Sequence, residues 1–148
     1  MAVRFIEFMD VGNTNGWRMD DVVPSAQVLE QLDRAFPLEP LPPRYAGEVA
    51  SRYRYRDGGG EIGVIASVTQ PFCGACTRLR LTADGQLYTC LFASKGFDLR
   101  GPMRGGATDG ELMSLLKSVW HRRGDRYSEQ RGAATAGMRH PEMSRIGG

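Results

Sequence analysis

The chain holds three cysteines, Cys73, Cys76 and Cys90, in the spacing C-x2-C-x13-C. Two thiols one short turn apart, followed by a third that has to return to them, make a metal-site spacing and constrain the intervening chain. A hairpin turning at Asp84-Gly85 meets the constraint, with Cys76 just before one arm and Cys90 just after the other. Three thiolates are one short of the usual four, which leaves one metal corner open. Arg78 and Arg80 follow at once on alternate positions, so they share a strand face. An open metal beside two guanidinium groups points to an anionic, phosphorylated substrate. Zinc could use the same thiolates with His121 or His140, but neither histidine has a local ligand spacing. Spacing alone does not separate iron from zinc. Three unrelated buried cysteines, or a solvated arginine face, remain the plain alternatives.

An odd number of cysteines in one cluster argues against a secreted disulfide framework. No apolar run approaches a membrane span, and Arg4 and Glu7 interrupt the first hydrophobic stretch, which therefore does not resemble a signal peptide. A soluble, cytoplasmic protein is expected. With 41% hydrophobic and 24% charged residues the composition is globular. The net charge of +2 is too small to argue for nucleic acid by field alone. Of 19 basic residues 17 are arginine, a side chain suited to bidentate phosphate contact. A coding bias explains a global excess of this kind more simply.

Val3 to Met9 reads as a buried strand. A loop runs from Asp10 to Trp17, and Pro24-Ser25 opens a helix with Ser25 as the expected cap. Val28, Leu29, Leu32 and Phe36 are its apolar stripe, and Pro37 stops it. Strand, loop and helix together are the repeating piece of an α/β sheet or barrel. Arg4 and Glu7 are costly in such a strand unless paired. Either they satisfy each other or a neighbouring strand, or Arg4 lines a barrel interior and meets ligand. Met9, at the strand end, is core packing by default.

Four prolines in 37–43 suggest a linker. Beyond it, Ser51 to Arg56 alternates arginine with Ser51, Tyr53 and Tyr55, turns at Asp57 to Gly60, and returns as Ile62 to Val68. Thr108-Asp109-Gly110-Glu111 is a capping box. The helix after it carries Leu112, Leu115, Leu116, Val119 and Trp120 on one face and ends by Gly124. From about Asp125 the composition is that of a flexible tail. Its last two residues, Gly147 and Gly148, have no side chains and could thread a narrow pocket.

Three blocks resemble one family. They are Arg4-Phe5-Ile6-Glu7-Phe8-Met9, the C-x2-C-x-R-x-R-L-T…G…C-L-F block from Cys73 to Phe92, and the terminal Met143-x-x-Ile146-Gly147-Gly148. In that order they resemble the C-terminal part of the MoaA family of GTP 3',8-cyclases. These are radical S-adenosylmethionine lyases of molybdenum-cofactor biosynthesis. Their deoxyadenosyl radical takes hydrogen from the ribose C3' of GTP, and C3' then bonds to purine C8.

The resemblance implies that Cys73, Cys76 and Cys90 hold a C-terminal 4Fe–4S cluster whose remaining iron binds the purine. It implies GTP contact by Arg78, Leu79, Arg80 and Arg4, and S-adenosylmethionine contact by Met9. It places Gly147 and Gly148 in the active site. The implied fold is α/β: residues 1–43 are the last part of an incomplete (β/α) barrel. Residues 44–126 are an α+β, antiparallel-hairpin iron–sulfur and substrate region, and 127–148 are a flexible tail. The family's N-terminal C-x3-C-x2-C motif is not in this sequence. The expectation is therefore a C-terminal piece, inactive alone, that works with the missing N-terminal half in cis or in trans. A strand cut from a barrel exposes its edge, so self-association as a homodimer is expected. The competing reading is a stand-alone iron–sulfur or zinc module acting with a partner chain.

Overall fold

The computed structural model describes residues 2–132, 135 and 138–146, and the chain divides into two compact units. The first comprises residues 1–10 and 17–76, the second residues 11–16 and 77–148.

In the first unit the β-rich start of the chain forms β1 (Val3–Ile6), followed by helix α1 (Ser25–Ala35). Three strands follow: β2 (Leu38–Leu41), β3 (Ser51–Tyr55) and β4 (Glu61–Ile65). The sheet order is β1-β4-β3-β2. β1 runs parallel to β4, with Val3 opposite Ile62 and Ile6 opposite Ile65, and the other pairings are antiparallel. The central strand is the buried one: Ile62 and Val64 are covered, and Leu38, Ala50 and Val68 complete this core. α1 lies against β4.

Three expectations change here. β1 is shorter than the apolar run and largely uncovered, with Val3 49% and Ile6 55% exposed. A continuous apolar run implies cover on both faces, whereas β1 sits at the sheet edge with β4 as its one neighbour among the described residues. Ser25 is not the helix cap. Pro24 occupies that position without a side-chain bond, and Ser25 is the first helical residue. The proline-rich 37–43 is no plain linker, because β2 runs through it with Pro40 opposite Tyr53. An edge strand tolerates the missing N–H of proline. Phe36, exposed just past the helix, meets the ring of Tyr55 edge-on at 6.1 Å. The arginines of β3 find carboxylates: Arg52 pairs with Glu61 at 2.7 Å, and Arg54 pairs with Glu39.

The second unit contains the expected hairpin. β5 (Arg80–Leu81) and β6 (Gln86–Tyr88) are antiparallel, and β7 (Phe97–Asp98) pairs with β6 on the other side. Gly85 makes the turn at φ +79°, where a Cβ would also run into Arg100. Helices α2 (Arg100–Arg104), α3 (Asp109–His121), α4 (Tyr127–Gln130) and α5 (Met143–Ile146) follow. The capping box of α3 is complete: Thr108 Oγ1 accepts the Glu111 N–H, and the Glu111 carboxylate accepts the Thr108 N–H. Leu87, Tyr88, Phe92, Val119 and Ile146 form this unit's core. The stretch read as a flexible tail thus carries two one-turn helices, and it buries Thr135, His140 and Ile146. Among the described residues no helix is long and apolar enough to cross a membrane.

Candidate metal and substrate site

Cys73 opens a 3-10 turn, Cys73–Ala75, and Cys76 closes it by donating its N–H to the Cys73 carbonyl at 3.3 Å. A C-x2-C spacing thus becomes two half-buried thiols on one turn of the first unit. The chain then enters the second unit at Thr77. Arg78 and Arg80 are both half-buried and Leu79 between them is exposed, but they do not share a strand face as expected: Arg78 and Leu79 precede β5, which starts only at Arg80. Arg80 begins β5, opposite Tyr88 of β6.

Cys90 lies two residues beyond β6, also half-buried. Its sulfur accepts the Phe92 N–H at 3.4 Å, and its carbonyl accepts the Ala93 N–H. A backbone N–H aimed at sulfur suits a thiolate, because such a bond strengthens when the acceptor is charged. Thiolates are soft donors of the kind that iron–sulfur and zinc chemistry uses. Among the described residues no group of three or more His, Cys, Asp and Glu side chains is arranged to hold a metal ion. Arg4 lies on β1 opposite Gly63, and Met9 lies half-buried beyond the end of that strand. A Cβ on Gly63 would press on the Arg4 side chain at 3.3 Å, so glycine leaves room for it. Gly147 and Gly148 lie outside the described residues.

Residues 1–129 match the family model described as Molybdenum Cofactor Synthesis C. The chain belongs to that family. Proteins named GTP 3',8-cyclase align along it. That of Acidothermus cellulolyticus is 56% identical over 93% of this chain and 39% of its own length. That of Synechococcus sp. CC9605 is 51% identical over the whole chain and 42% of its own length. That of Staphylococcus saprophyticus is 47% identical over the whole chain and 45% of its own length. This Molybdenum Cofactor Synthesis C chain therefore corresponds to the C-terminal portion of such proteins and spans about two-fifths of the length of the curated relatives it matches.

In two places the partners of this family member's residues were not named from its sequence. In the first unit Glu7, 4% exposed, collects four donors. Oε1 accepts the Ser25 N–H at 2.8 Å and the Thr69 hydroxyl at 2.6 Å, and Oε2 accepts the Val68 and Thr69 N–H groups at 2.8 Å each. Burial pushes this carboxyl up, but the bonds from Thr69, Ser25 and Val68 outweigh it and hold the group below its ordinary value. Glu7 thus has its own partners in α1 and the 68–69 turn, and the reading in which it and Arg4 satisfy each other is replaced. The sequence signal was present, since an acid inside an apolar run has to find donors.

In the second unit a cavity of about 240 Å³ is lined by Cys90, Phe92, Asp125, Arg126, Tyr127 and Met138 among others. The Phe92 and Tyr127 rings stack at 4.5 Å, and the Arg131 guanidinium lies 5.3 Å from the Phe92 ring. His140 Nδ1–H donates to the Phe92 carbonyl at 2.9 Å, and its Nε2 faces the Tyr127 hydroxyl at 3.2 Å. Thr89, just before Cys90, donates to Asp125 at 2.6 Å. His140 is therefore a packed tail residue in this arrangement, bonded through both ring nitrogens.

Proposed function

We propose that this chain is the substrate- and cluster-binding C-terminal part of a GTP 3',8-cyclase of molybdenum-cofactor biosynthesis. The observation that supports it is the 47–56% identity to proteins of that name over 93–100% of the chain. Cys73, Cys76 and Cys90 are the residues that would hold a 4Fe–4S cluster. When bound, such a cluster would supply one iron without a cysteine, a Lewis-acidic place for a purine donor atom. Arg78 and Arg80 hold the triphosphate with their paired donors, and exposed Leu79 between them contacts the nucleoside. Arg4 adds a further cation for GTP, and Met9 contacts S-adenosylmethionine. Gly147 and Gly148 reach the reacting centre because they have no side chains to exclude them.

Residues 1–43 are the end of a (β/α) barrel, residues 44–126 the cluster and substrate region, and 127–148 the tail that brings in the terminal glycines. In this reading the chain binds GTP but does not convert it alone. S-adenosylmethionine cleavage needs the C-x3-C-x2-C motif, which the sequence does not contain. Joined to the N-terminal portion of its relatives, the assembly is a cytoplasmic radical enzyme.

Anaerobic reconstitution with iron and sulfide, followed by metal analysis and a visible spectrum, tests the ligand set. About four irons and four sulfides per chain with a broad thiolate-to-iron band, lost in Cys90→Ser, is the expected result. A colourless protein that retains zinc would replace this reading with that of a zinc module working with a partner chain.

A further inference from the structure

The terminal glycines cannot choose their own direction, because glycine has neither side-chain anchor nor strong backbone preference. Whatever fixes the residues before them decides where they can go. Ile146 is 3% exposed, and Arg145 pairs with Asp84 at 3.0 Å. That pair is solvent-exposed and by itself worth little. The stronger attachment comes from the loop 11–16, which belongs to the same unit although it precedes the tail by more than a hundred residues.

Asn13 holds the main chain of His140 in both directions. Its Oδ1 accepts the His140 N–H at 3.0 Å, and its Nδ2 donates to the His140 carbonyl at 2.7 Å. One side-chain amide thus takes the place of a neighbouring strand for a stretch that has none. Nδ2 also donates to Glu142 Oε1 at 2.8 Å, and the Asn13 N–H donates to the same oxygen at 3.1 Å. Gly12 makes this approach feasible: its φ is +69°, and a Cβ there would collide with the Glu142 carboxylate. The chemistry requires an amide. An aspartate keeps the acceptor, loses the donor, and sets a second negative charge against Glu142.

We propose that Asn13 is a positioning residue: with Gly12 beside it, it latches residues 140–142 and so fixes the segment that leads into α5, the last described element. Its catalytic consequence rests on the function proposed above; the latch itself does not.

The test is amide hydrogen exchange of this chain, followed by mass spectrometry of peptides covering 138–146 and α3. In Asn13→Ala the tail peptides are expected to exchange about ten-fold faster or more while α3 stays protected. The same substitution is then placed in the chain joined to the N-terminal portion of its relatives. There kcat for GTP conversion is expected to fall about ten-fold or more, with KM for S-adenosylmethionine and iron content unchanged. Unaltered tail exchange would overturn the latch. Faster tail exchange with unaltered kcat would overturn its role in positioning. Absence of GTP conversion by the unsubstituted joined enzyme would overturn the proposed function and leave the exchange result standing. Should Asn13→Ala loosen α3 as well, Glu142→Ala, which removes two of the four bonds, is read by the same criteria.

Discussion

The carboxylate of Glu7 receives the first backbone N–H of the helix that starts at Ser25, at 2.8 Å and across 18 residues of sequence. The same carboxylate takes the N–H groups of Val68 and Thr69 at 2.8 Å, on the segment that leads to Cys73. One buried acid therefore ties the end of β1, the start of α1 and the approach to the C-x2-C turn. An anion is favourable at a helix N-terminus, where unpaired N–H groups concentrate positive charge. It also explains why a serine that looks like a cap need not act as one.

Glu7→Gln is expected to lower unfolding stability by about 2–4 kcal/mol, because the carboxamide turns N–H groups toward donors that had acceptors. Urea unfolding measures it. The acid limb of the stability profile carries the sign. The folded carboxyl lies below its ordinary value, and the unfolded one titrates near about 4.3. Its contribution is fully present above the unfolded value and is lost as pH falls through the folded one. Between about pH 5 and pH 3 the unsubstituted chain should lose stability more steeply than Glu7→Gln. Parallel curves would show that this carboxylate is not the group responsible.

Arg78→Ala and Arg80→Ala are each expected to weaken GTP binding by the iron-loaded chain about 10- to 100-fold, the loss of a charge-assisted contact worth about 1.5–3 kcal/mol. Lysine at either position should recover only part of the affinity, since an ammonium lacks the paired donors of guanidinium. Calorimetric titration with GTP decides. Unchanged affinity in both alanine variants would remove the triphosphate role from these two arginines.

The exposed edge makes a third expectation. With Val3, Ile6 and Phe8 uncovered along and beyond β1, the chain should self-associate as its concentration rises. Ile6→Lys should suppress this, because a charge on an edge strand blocks pairing with another edge. Sedimentation velocity across a concentration series checks it. Identical profiles for the two proteins would show that β1 is not the associating surface.

How much was legible follows from how far each interaction reaches. The α3 capping box needs Thr108 and Glu111, three residues apart, and it forms as written. The hairpin at Asp84-Gly85 needs one glycine at positive φ, and Gly85 provides it. The turn joining Cys73 to Cys76 is equally local. β2 was hidden because proline is a reliable breaker except at a sheet edge, and whether a strand is an edge depends on its neighbours. Glu7 stood out as an anomaly in an apolar run, yet its partners lie 18 to 62 residues away and could not be named from the sequence. The anchoring of the tail was invisible for the same reason, since Asn13 and His140 are 127 residues apart.

The sequence by itself determined the thiol spacing, the arginine pair beside it, the capped helix, the hairpin and the family, all of which depend on residue identity and short separations. Tertiary structure alone decided which acid caps α1, which strand is left at the edge, and what holds the segment before the terminal glycines. Those outcomes rest on hydrogen bonds between distant segments, which form only when the packing of many other residues has brought the partners within reach.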